Sequence, residues 1–379
     1  MKIAYIASYS LKTSNSWSQS GYQLATALEK CGANLELIGP LRDLRPWYFR
    51  SKRLIYKLFR KNYLRDREPA VVQNYALQLE RNLAGKKFDI LLSPGSKPVA
   101  SLDCDLPIII WTDATFAGMV NFYPDFTNLD SRSLYNGNFF EGEALRRCRL
   151  AIYTSGWACK TALSSYGVVP EKIREIPFGV NFTHLPGETE IIEILESRER
   201  DRCRLLFIGF DWYRKGGDIA MKVAEHLHLT GLPVELSLVG SKPSGKVPVW
   251  VKDFGMLSRS RSEDLTILRK CYRQAHFLLM PSRADCLPQV IGEAFAFGVP
   301  VIAADVGGIS SGVDQAENGA LLPSGAAPSD YSRIVYELWS SPTKYRQLAL
   351  GAYQKYATKL NWDTAGERAM TLFDQVISD

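Results

Sequence analysis

The sequence predicts an α/β protein of two domains, each a doubly wound parallel sheet covered by helices on both faces. Short apolar runs alternate with amphipathic stretches along the chain, which is typical of strand–helix–strand repeats. The clearest repeat is 277–308, where an apolar strand, a helix and a second apolar strand follow one another, so the sheet should be parallel. At 379 residues the chain is too long for one ordinary core and suits two domains.

The first half of the chain opens with strand, loop, helix and strand. Lys2–Ala7 is short and apolar, a polar loop covers 13–21, and the next helix and strand are expected at 22–30 and 34–39. The loop could offer backbone N–H groups to a ligand, although an ordinary connecting loop fits its spacing equally well. Later elements of this half are strands at 88–92, 107–111 and 150–154 and a helix at 141–148.

The second half repeats the alternation after 181–201, a polar and acid-rich stretch that is predicted to be a linker. A strand at 204–209 leads through a basic glycine turn into a helix, and 234–240 is another strand. In the 277–308 repeat, Pro288 suits the first turn of the helix and Gly298 its C-terminal cap. The strands of this repeat and the remaining helices are expected at 277–280, 299–304, 330–338, 342–360 and 362–377.

Composition excludes several classes of protein. Hydrophobic residues make up 46% of the chain and charged residues 23%, which are ordinary globular values. No apolar run approaches the ~20 residues of a membrane span, and the first residues suit a strand better than a signal peptide. The seven cysteines are scattered and lack CxxC spacing, which indicates reduced thiols in a cytosolic protein and argues against zinc or disulfides.

The formal charge of +6 is unevenly distributed. Residues 42–67 hold ten Lys or Arg against two Asp, and aromatic residues are interleaved with them. Such a basic, aromatic and partly helical segment suggests contact with anionic lipid headgroups or with an anionic acceptor. The plainer alternative is a solvated helical face whose apolar side packs inward. Nucleic acid is not expected as a partner, since no base-reading module accompanies the charge.

Two acids, Asp285 and Glu293, stand eight positions apart in the 277–308 repeat, after its first strand. Ligands of open α/β sheets bind at such strand ends. A Gly-Val-Pro-Val sequence at 298–301 and two glycines at 307–308 follow in register. Together these residues resemble the donor-sugar signature of family 4 glycosyltransferases, which are retaining enzymes of the GT-B fold. Two acids at this spacing would by themselves be a weak signal, whereas the combination is specific.

The resemblance covers nearly the whole chain, most strongly over 204–308, and it implies an architecture. GT-B enzymes have two Rossmann-like domains that face a cleft, and a C-terminal helix that crosses back to the first domain. The expected domains are residues 1–180 with about 362–379, which would bind the acceptor, and residues 181–361, which would bind the nucleotide sugar.

The resemblance implies transfer of a hexose from a nucleotide diphosphate sugar, with UDP favoured, to a saccharide or lipid-linked acceptor in polysaccharide biosynthesis. The family retains the anomeric configuration by a same-face route, in which the leaving phosphate helps to deprotonate the acceptor. No metal or other cofactor is expected. Asp103-Cys104-Asp105 mimics the metal-binding DxD of the other glycosyltransferase class, but it precedes its strand and suits a turn.

The resemblance also assigns contacts to the donor. A basic turn after the strand at 204–209 would hold the diphosphate at a helix N-terminus. Lys215 matches the family's lysine in this turn, whereas Phe210 replaces the usual arginine and Arg214 would supply its charge. The loop at 252–257 resembles the one that contacts the nucleotide base. The expected donor-binding residues are Gly209, Arg214, Lys215, Met256, Leu257, Asp285, Leu287, Gln289 and Glu293.

The catalytic residues that the resemblance implies are Asp113, Arg214, Lys215 and Asp285. Asp113 follows a strand, where family members often carry a residue that touches the donor sugar, and the alternative is an N-cap for the helix after it. Glu293 would accept hydrogen bonds from ribose hydroxyls, and Asp285 from sugar hydroxyls. Candidates near the acceptor, in the loop after the first strand, are Trp17, Ser18, Gly21 and Tyr22.

The sequence departs from the family pattern at two positions. Asp285 stands where Glu is usual, and Pro288 stands where glycine is common, which leaves the amides of Leu287 and Gln289 as phosphate donors. Two alternatives therefore remain: a nucleotide-sugar epimerase of GT-B form, which needs no acceptor, and a non-catalytic GT-B binding protein. The expected location is cytoplasmic, with a peripheral position at the inner membrane face through 42–67.

Overall fold

A computed structural model describes residues 1–6, 20–44, 46–182, 184–241, 243 and 245–378 of the chain. The chain divides into two compact units, Met1–Phe178 with Trp362–Asp379, and Gly179–Asn361. Each unit contains one six-stranded sheet in which every strand pair is parallel. The predicted fold class, two doubly wound α/β units, is therefore confirmed.

The sheet of the first unit has the strand order β2-β1-β3-β4-β5-β6. Its strands are β1 (Lys2–Ile6), β2 (Asn34–Ile38), β3 (Ile90–Ser93), β4 (Ile108–Thr112), β5 (Leu150–Tyr153) and β6 (Ile173–Glu175). The helices that connect them are α1 (Ser20–Lys30), α2 (Trp47–Leu58), α3 (Pro69–Leu83), α4 (Phe116–Met119), α5 (Ser131–Arg147) and α6 (Gly156–Tyr166).

The sheet of the second unit has the order β12-β11-β10-β7-β8-β9. Its strands are β7 (Cys203–Gly209), β8 (Val234–Gly240), β9 (Val251–Asp253), β10 (Phe277–Met280), β11 (Val301–Asp305) and β12 (Gly319–Pro323). Its helices are α7 (Glu188–Ser197), α8 (Gly217–Leu229), α9 (Ser262–Gln274), α10 (Gln289–Ala296), α11 (Ile309–Gly312), α12 (Pro328–Trp339) and α13 (Pro342–Lys359).

The inner strands are apolar on both faces because helices cover both sides of each sheet. In the second unit, Leu206 and Leu278 face a hydrophobic cluster that includes α10, while Leu205 and Phe277 face the cluster that includes α8. The sheet of the first unit lies between two clusters in the same way. This double burial explains why the strands are continuous apolar runs in the sequence.

The last helix, α14 (Trp362–Ser378), belongs to the first unit, where it packs on α1. Its buried residues include Ala365, Ala369 and Phe373, which recur at the three- and four-residue spacing of one helical face. Among the described residues, no helix is both long and apolar enough to cross a membrane.

Several elements differ from the sequence prediction. The predicted linker at 181–201 is wrong in part, because α7 lies within it and buries Ile191 and Ile194 against the core of the second unit. Ile191, Ile194 and Leu195 recur at the helical spacing i, i+3 and i+4, but the prediction gave more weight to the acidic composition of the segment. The helix predicted at 141–148 begins earlier, at Ser131, where Asp130 caps it by accepting hydrogen bonds from backbone N–H groups. Helix α3 and strand β12 had no counterpart in the prediction.

Candidate functional site

The second sheet changes its winding direction between β7 and β10, which are neighbours in the middle of the sheet. The chain leaves β7 at Gly209 toward one edge of the sheet and leaves β10 at Met280 toward the other. Ligands of open parallel sheets bind at such a switch point, beyond the carboxyl ends of the strands. The turn after β7 carries Arg214 and Lys215, and the turn after β10 carries Asp285.

Arg214, Lys215 and Asp285 form one charged cluster at this switch point. The Nζ atom of Lys215 lies 2.9 Å from both carboxylate oxygens of Asp285. Arg214 donates from Nη1 to Asp285 Oδ1 at 3.2 Å and to the carbonyl oxygen of Ala284 at 2.7 Å. The Asp285 side chain is buried, so its charge requires these cations. Asp211, in the same turn as Arg214, lies 3.6 Å from Arg214 Nε, so the two cations are shared between the carboxylates of Asp285 and Asp211.

Two glycines let the turn after β7 approach the turn after β10. Gly216 has φ +77°, and a Cβ atom there would clash with the carbonyl oxygen of Pro281. At Gly209, a Cβ atom would lie 2.8 Å from Cγ of Lys215, so the lysine stem rests against the bare end of β7. The local sequence thus directs the Lys215 side chain across the strand ends to Asp285.

Glu293 lies on α10 without solvent exposure, and it has two partners that the sequence prediction missed. The Tyr272 hydroxyl donates to Glu293 Oε2 at 2.6 Å. Arg259 Nη2 donates to the same oxygen at 2.8 Å and lies 2.6 Å from Oε1. Burial, and next the negative charge of Glu293, raises the pKa of Tyr272 well above its ordinary value, so the hydroxyl keeps its proton.

A signal for these partners existed in the sequence, but it could not name them. Glu293 is the only charged residue of α10, whose other residues apart from Gln289 are apolar or small. A buried carboxylate of this kind requires a cation and hydrogen-bond donors. The sequence did not indicate which of the many arginines would pair with it, since Arg259 and Tyr272 precede it by 34 and 21 positions.

One buried polar atom in the turn that joins β10 to α10, and another in the first residue of α10, have no hydrogen-bond partner among the described residues. These atoms are Ser282 Oγ and Gln289 Oε1. Gly308 donates its backbone N–H to the carbonyl oxygen of Asp285 at 3.2 Å, which ties the two-glycine loop to this turn. Buried polar groups are normally paired, so these two atoms are exceptions, and they lie three positions before and four positions after Asp285 in the sequence.

The other predicted donor residues are more dispersed. Leu287 is half-buried and packs against the core of the second unit. Met256 and Leu257 follow β9, where Met256 is exposed and Leu257 packs partly against the same core. An exposed methionine is available to a ligand at this edge of the sheet, but no described contact joins it to the charged cluster.

The predicted residues of the first unit lie at its own strand ends. Asp113 directly follows β4. The alternative role for Asp113, an N-cap, belongs instead to Thr115, whose Oγ1 accepts from Gly118 N–H at 3.1 Å at the start of α4. Trp17 and Ser18 lie outside the described residues. Gly21 is buried in α1 and accepts a hydrogen bond from Tyr5, whereas Tyr22 is exposed.

The structure also locates the residues considered for metals and redox chemistry. Among the described residues, no three His, Cys, Asp or Glu side chains are grouped so that they could hold a metal ion. The Asp103-Cys104-Asp105 sequence precedes β4, as expected. All seven cysteines are free thiols. Burial raises the pKa of Cys148 and Cys159 to about 12.

Comparison with known proteins supports a glycosyltransferase relationship for the second unit. Residues 202–341 match the family model for glycosyl transferases group 1. The chain is 29% identical over 229 residues to D-inositol 3-phosphate glycosyltransferase 1 of Catenulispora acidiphila, with 57% of this chain and 54% of that protein covered. The chain spans about half the length of the curated relatives that it matches.

Solved structures share the fold of the whole chain. Sucrose-phosphate synthase from Thermosynechococcus elongatus has a TM-score of 0.71 at 18% identity, with 100% of this chain and 99% of that chain covered. HepE from Anabaena, solved in complex with UDP, has a TM-score of 0.67 at 16% identity, with 99% and 100% covered. Another HepE structure contains UDP-glucose. These structures confirm the predicted GT-B fold class, in which a protein has two Rossmann-like units.

Proposed function

We propose that this protein is a retaining glycosyltransferase of family 4 that uses a nucleotide diphosphate sugar. One observation carries the proposal: Arg214, Lys215 and Asp285 converge at the switch point of a unit that matches the glycosyl transferases group 1 model. The two cations of this cluster suit a diphosphate, and the Asp285 carboxylate suits sugar hydroxyls. The orphan atoms of Ser282 and Gln289 would complete the polar surroundings of the donor.

The proposed reaction follows from the charges that develop during transfer. The bond between the anomeric carbon and the diphosphate oxygen breaks, the acceptor oxygen bonds to that carbon on the same face, and the acceptor proton passes to the departing diphosphate. Lys215 and Arg214 stabilise the leaving diphosphate, together with backbone N–H groups at the start of α10. Asp285 then exchanges part of its ion pairing for hydrogen bonds from the sugar, and Glu293 orients the ribose.

The donor is proposed to be a UDP-sugar, which is supported by the HepE complexes with UDP and UDP-glucose. The acceptor is proposed to be a saccharide or a lipid-linked saccharide in polysaccharide biosynthesis, and no metal is required for transfer. We place the protein in the cytoplasm, at the inner membrane face, and its free thiols suit a reducing compartment. Asp285 is one methylene shorter than the usual glutamate, so the sugar pocket should be deeper at this position.

Titration calorimetry with a panel of UDP-sugars tests the donor site. Lys215→Ala and Glu293→Gln are each expected to weaken donor binding at least about tenfold, because each removes a charge-assisted contact. Glu190→Gln is the matched control, since Glu190 is an exposed carboxylate of the same unit that pairs with Arg273. The proposal fails if no UDP-sugar binds, or if Glu293→Gln binds the donor as tightly as the natural protein.

Turnover assays then separate transfer from the two alternatives. Transfer consumes the UDP-sugar and releases UDP in proportion to added saccharide or lipid-linked acceptor. Epimerisation or hydrolysis without any acceptor would identify an epimerase-type enzyme and contradict the proposal. Tight donor binding without UDP release, over a broad acceptor panel, would identify a binding protein.

A further inference from the structure

Helix α2 of the first unit turns most of its large apolar side chains away from the core. Trp47, Leu54, Ile55 and Leu58, together with Phe59 directly after the helix, are between 53% and 82% exposed. We call these five residues the outer face of α2. Within α2, all of which the structure describes, Phe49 is the only buried residue. Exposed apolar residues are common singly, but five within thirteen residues form a patch that requires an explanation.

Helical geometry shows that the patch is continuous. At about 100° per residue, Trp47, Leu54, Ile55 and Leu58 fall on one stripe at the spacing i, i+7, i+8 and i+11. Phe49 and Tyr56 lie on the opposite side, where Phe49 enters the core of the first unit and Tyr56 stacks on Tyr63 with ring centroids 5.5 Å apart. A core-facing helix usually turns its broader apolar stripe inward, whereas α2 turns its broader apolar stripe toward solvent.

Positive charge flanks the outer face. Arg50, Arg53, Lys57 and Arg60 are exposed, and the sequence from Trp47 to Lys61 contains no acidic residue. Within the described part of the chain, none of these four cations forms an ion pair, whereas Lys52 pairs with Glu68 on the inner side. An apolar stripe beside unpaired cations is complementary to a surface that has anionic groups above an apolar interior.

We propose that the outer face of α2 docks the first unit on an anionic lipid bilayer. Trp47 and the aliphatic side chains enter the boundary between headgroups and acyl chains, while the flanking cations contact the anionic headgroups. The twelve-residue helix lies in the plane of the membrane surface. The outer face of α2 gives a specific location to the membrane contact in the proposed function. The docking proposal depends on α2 alone and not on the donor site of the other unit.

The docking surface is tested by sedimentation of the full-length protein with lipid vesicles. Vesicles of phosphatidylcholine with about one-third phosphatidylglycerol are compared with vesicles of phosphatidylcholine alone. Because the four cations beside the outer face attract anionic headgroups, the protein is expected to bind the first kind of vesicle more tightly. Leu54→Ser with Leu58→Ser is expected to lower the partition coefficient at least about tenfold, because two exposed leucines no longer enter the bilayer. Arg50→Gln, Arg53→Gln and Lys57→Gln together are expected to remove the preference for anionic lipid.

Matched controls distinguish docking through α2 from non-specific hydrophobic binding and from misfolding. Leu229→Ser with Val249→Ser removes two exposed apolar residues of the second unit and is expected to leave vesicle binding unchanged. Thermal unfolding followed by circular dichroism reports whether the Leu54→Ser, Leu58→Ser variant is folded. Absence of UDP binding by the natural protein would count against the proposed function alone.

Two results would overturn the docking proposal. The first is a failure of vesicle binding to depend on α2: the natural protein stays in the supernatant with both kinds of vesicle, or the Leu54→Ser, Leu58→Ser variant sediments as well as the natural protein. The other is a dimer in lipid-free solution that dissociates in this variant, which would assign the outer face to a second copy of the chain.

Discussion

At the scale of single residues, Glu293 shows how the site is stabilised. Its carboxylate is fully buried, and burial of an unpaired charge costs several kcal/mol. Arg259 supplies the opposite charge, and Tyr272 supplies a second donor to Oε2. The Tyr272 ring stacks on Phe297 with centroids 5.4 Å apart, which holds the hydroxyl in place. The orientation of Glu293 therefore depends on residues that do not themselves need to touch a ligand.

Tyr272→Phe is expected to lower the stability around α10 by about 1.5–3 kcal/mol, because a hydrogen bond to a charged group is lost while the ring packing remains. Hydrogen exchange in α9 and α10 measures this change. Tyr331→Phe is the matched control, since Tyr331 is a buried tyrosine of α12 that packs in a different hydrophobic cluster from α10, and it should leave α10 unaffected. Equal protection of α10 in Tyr272→Phe and the natural protein would contradict the stabilising role.

His276 is a buried histidine between β10 and the helix before it. Its Nδ1 accepts a hydrogen bond from the backbone N–H of Arg204 at 3.0 Å, which requires the neutral ring. Burial, and next the charge of Arg198, lowers the pKa of His276 to about 3. Below the ordinary histidine pKa of about 6.5, the unfolded chain therefore binds a proton that the folded chain does not.

The second unit is thus expected to lose stability as the pH falls from about 6.5 toward 3, with a slope of up to about 1.4 kcal/mol per pH unit from His276. Urea unfolding between pH 7 and 5 measures the slope above the range where most carboxylates titrate. His276→Asn keeps an acceptor for the Arg204 N–H but cannot titrate, so its slope should be smaller. Parallel slopes for the two proteins would show that His276 is not the cause.

At the scale of elements, α7 explains why an acid-rich segment folds. Its acids face solvent, whereas Ile191 and Ile194 lie three positions apart on one helical face and are 1% exposed. The adjacent Ile192 is 41% exposed, because neighbouring residues of a helix point about 100° apart. These two side chains, with the half-buried Leu195, attach the helix to the core of the second unit.

Ile191→Ala is expected to lower the free energy of unfolding of the second unit by about 2–5 kcal/mol, because it leaves a cavity in the core. Ile192→Ala makes the same chemical change on the exposed side and should stay within about 0.5 kcal/mol of the natural protein. Urea unfolding of the two variants measures the difference. Similar losses for both would mean that α7 does not pack as the structure describes.

At the scale of the whole molecule, the first unit is discontinuous in sequence. Residues 362–378 follow the second unit, yet α14 completes the hydrophobic cluster around α1. Ala365, Ala369 and Phe373 of α14 have no solvent exposure or almost none. The stability of the first unit therefore depends on the last residues of the chain.

A chain that ends at Asn361 lacks α14, and its α1 is expected to exchange backbone hydrogens at least about tenfold faster, because the apolar cover of α1 is gone. Helix α8 serves as an internal control, since its neighbours in the second unit are unchanged. Hydrogen exchange followed by peptide mass analysis reports both helices in one experiment. Protection of α1 equal to that in the full chain would contradict this dependence.

The sequence by itself determined the α/β class, the β10–α10–β11 repeat and the positions of the residues at the strand ends. These features are local: apolar runs mark buried strands, and Pro288 and Gly298 bound a helix wherever it packs. The resemblance of 277–308 to the family signature identified Asp285 and Glu293, because both lie within one short segment.

Only the tertiary structure decided which residues meet. Lys215 reaches Asp285 across 70 positions because β7 and β10 are neighbours in the sheet, and Arg259 reaches Glu293 across 34. The exposure of α2 was equally undecided, since its sequence is amphipathic in either orientation. Which apolar side faces solvent depends on what the rest of the unit covers, and this is a property of packing rather than of local sequence.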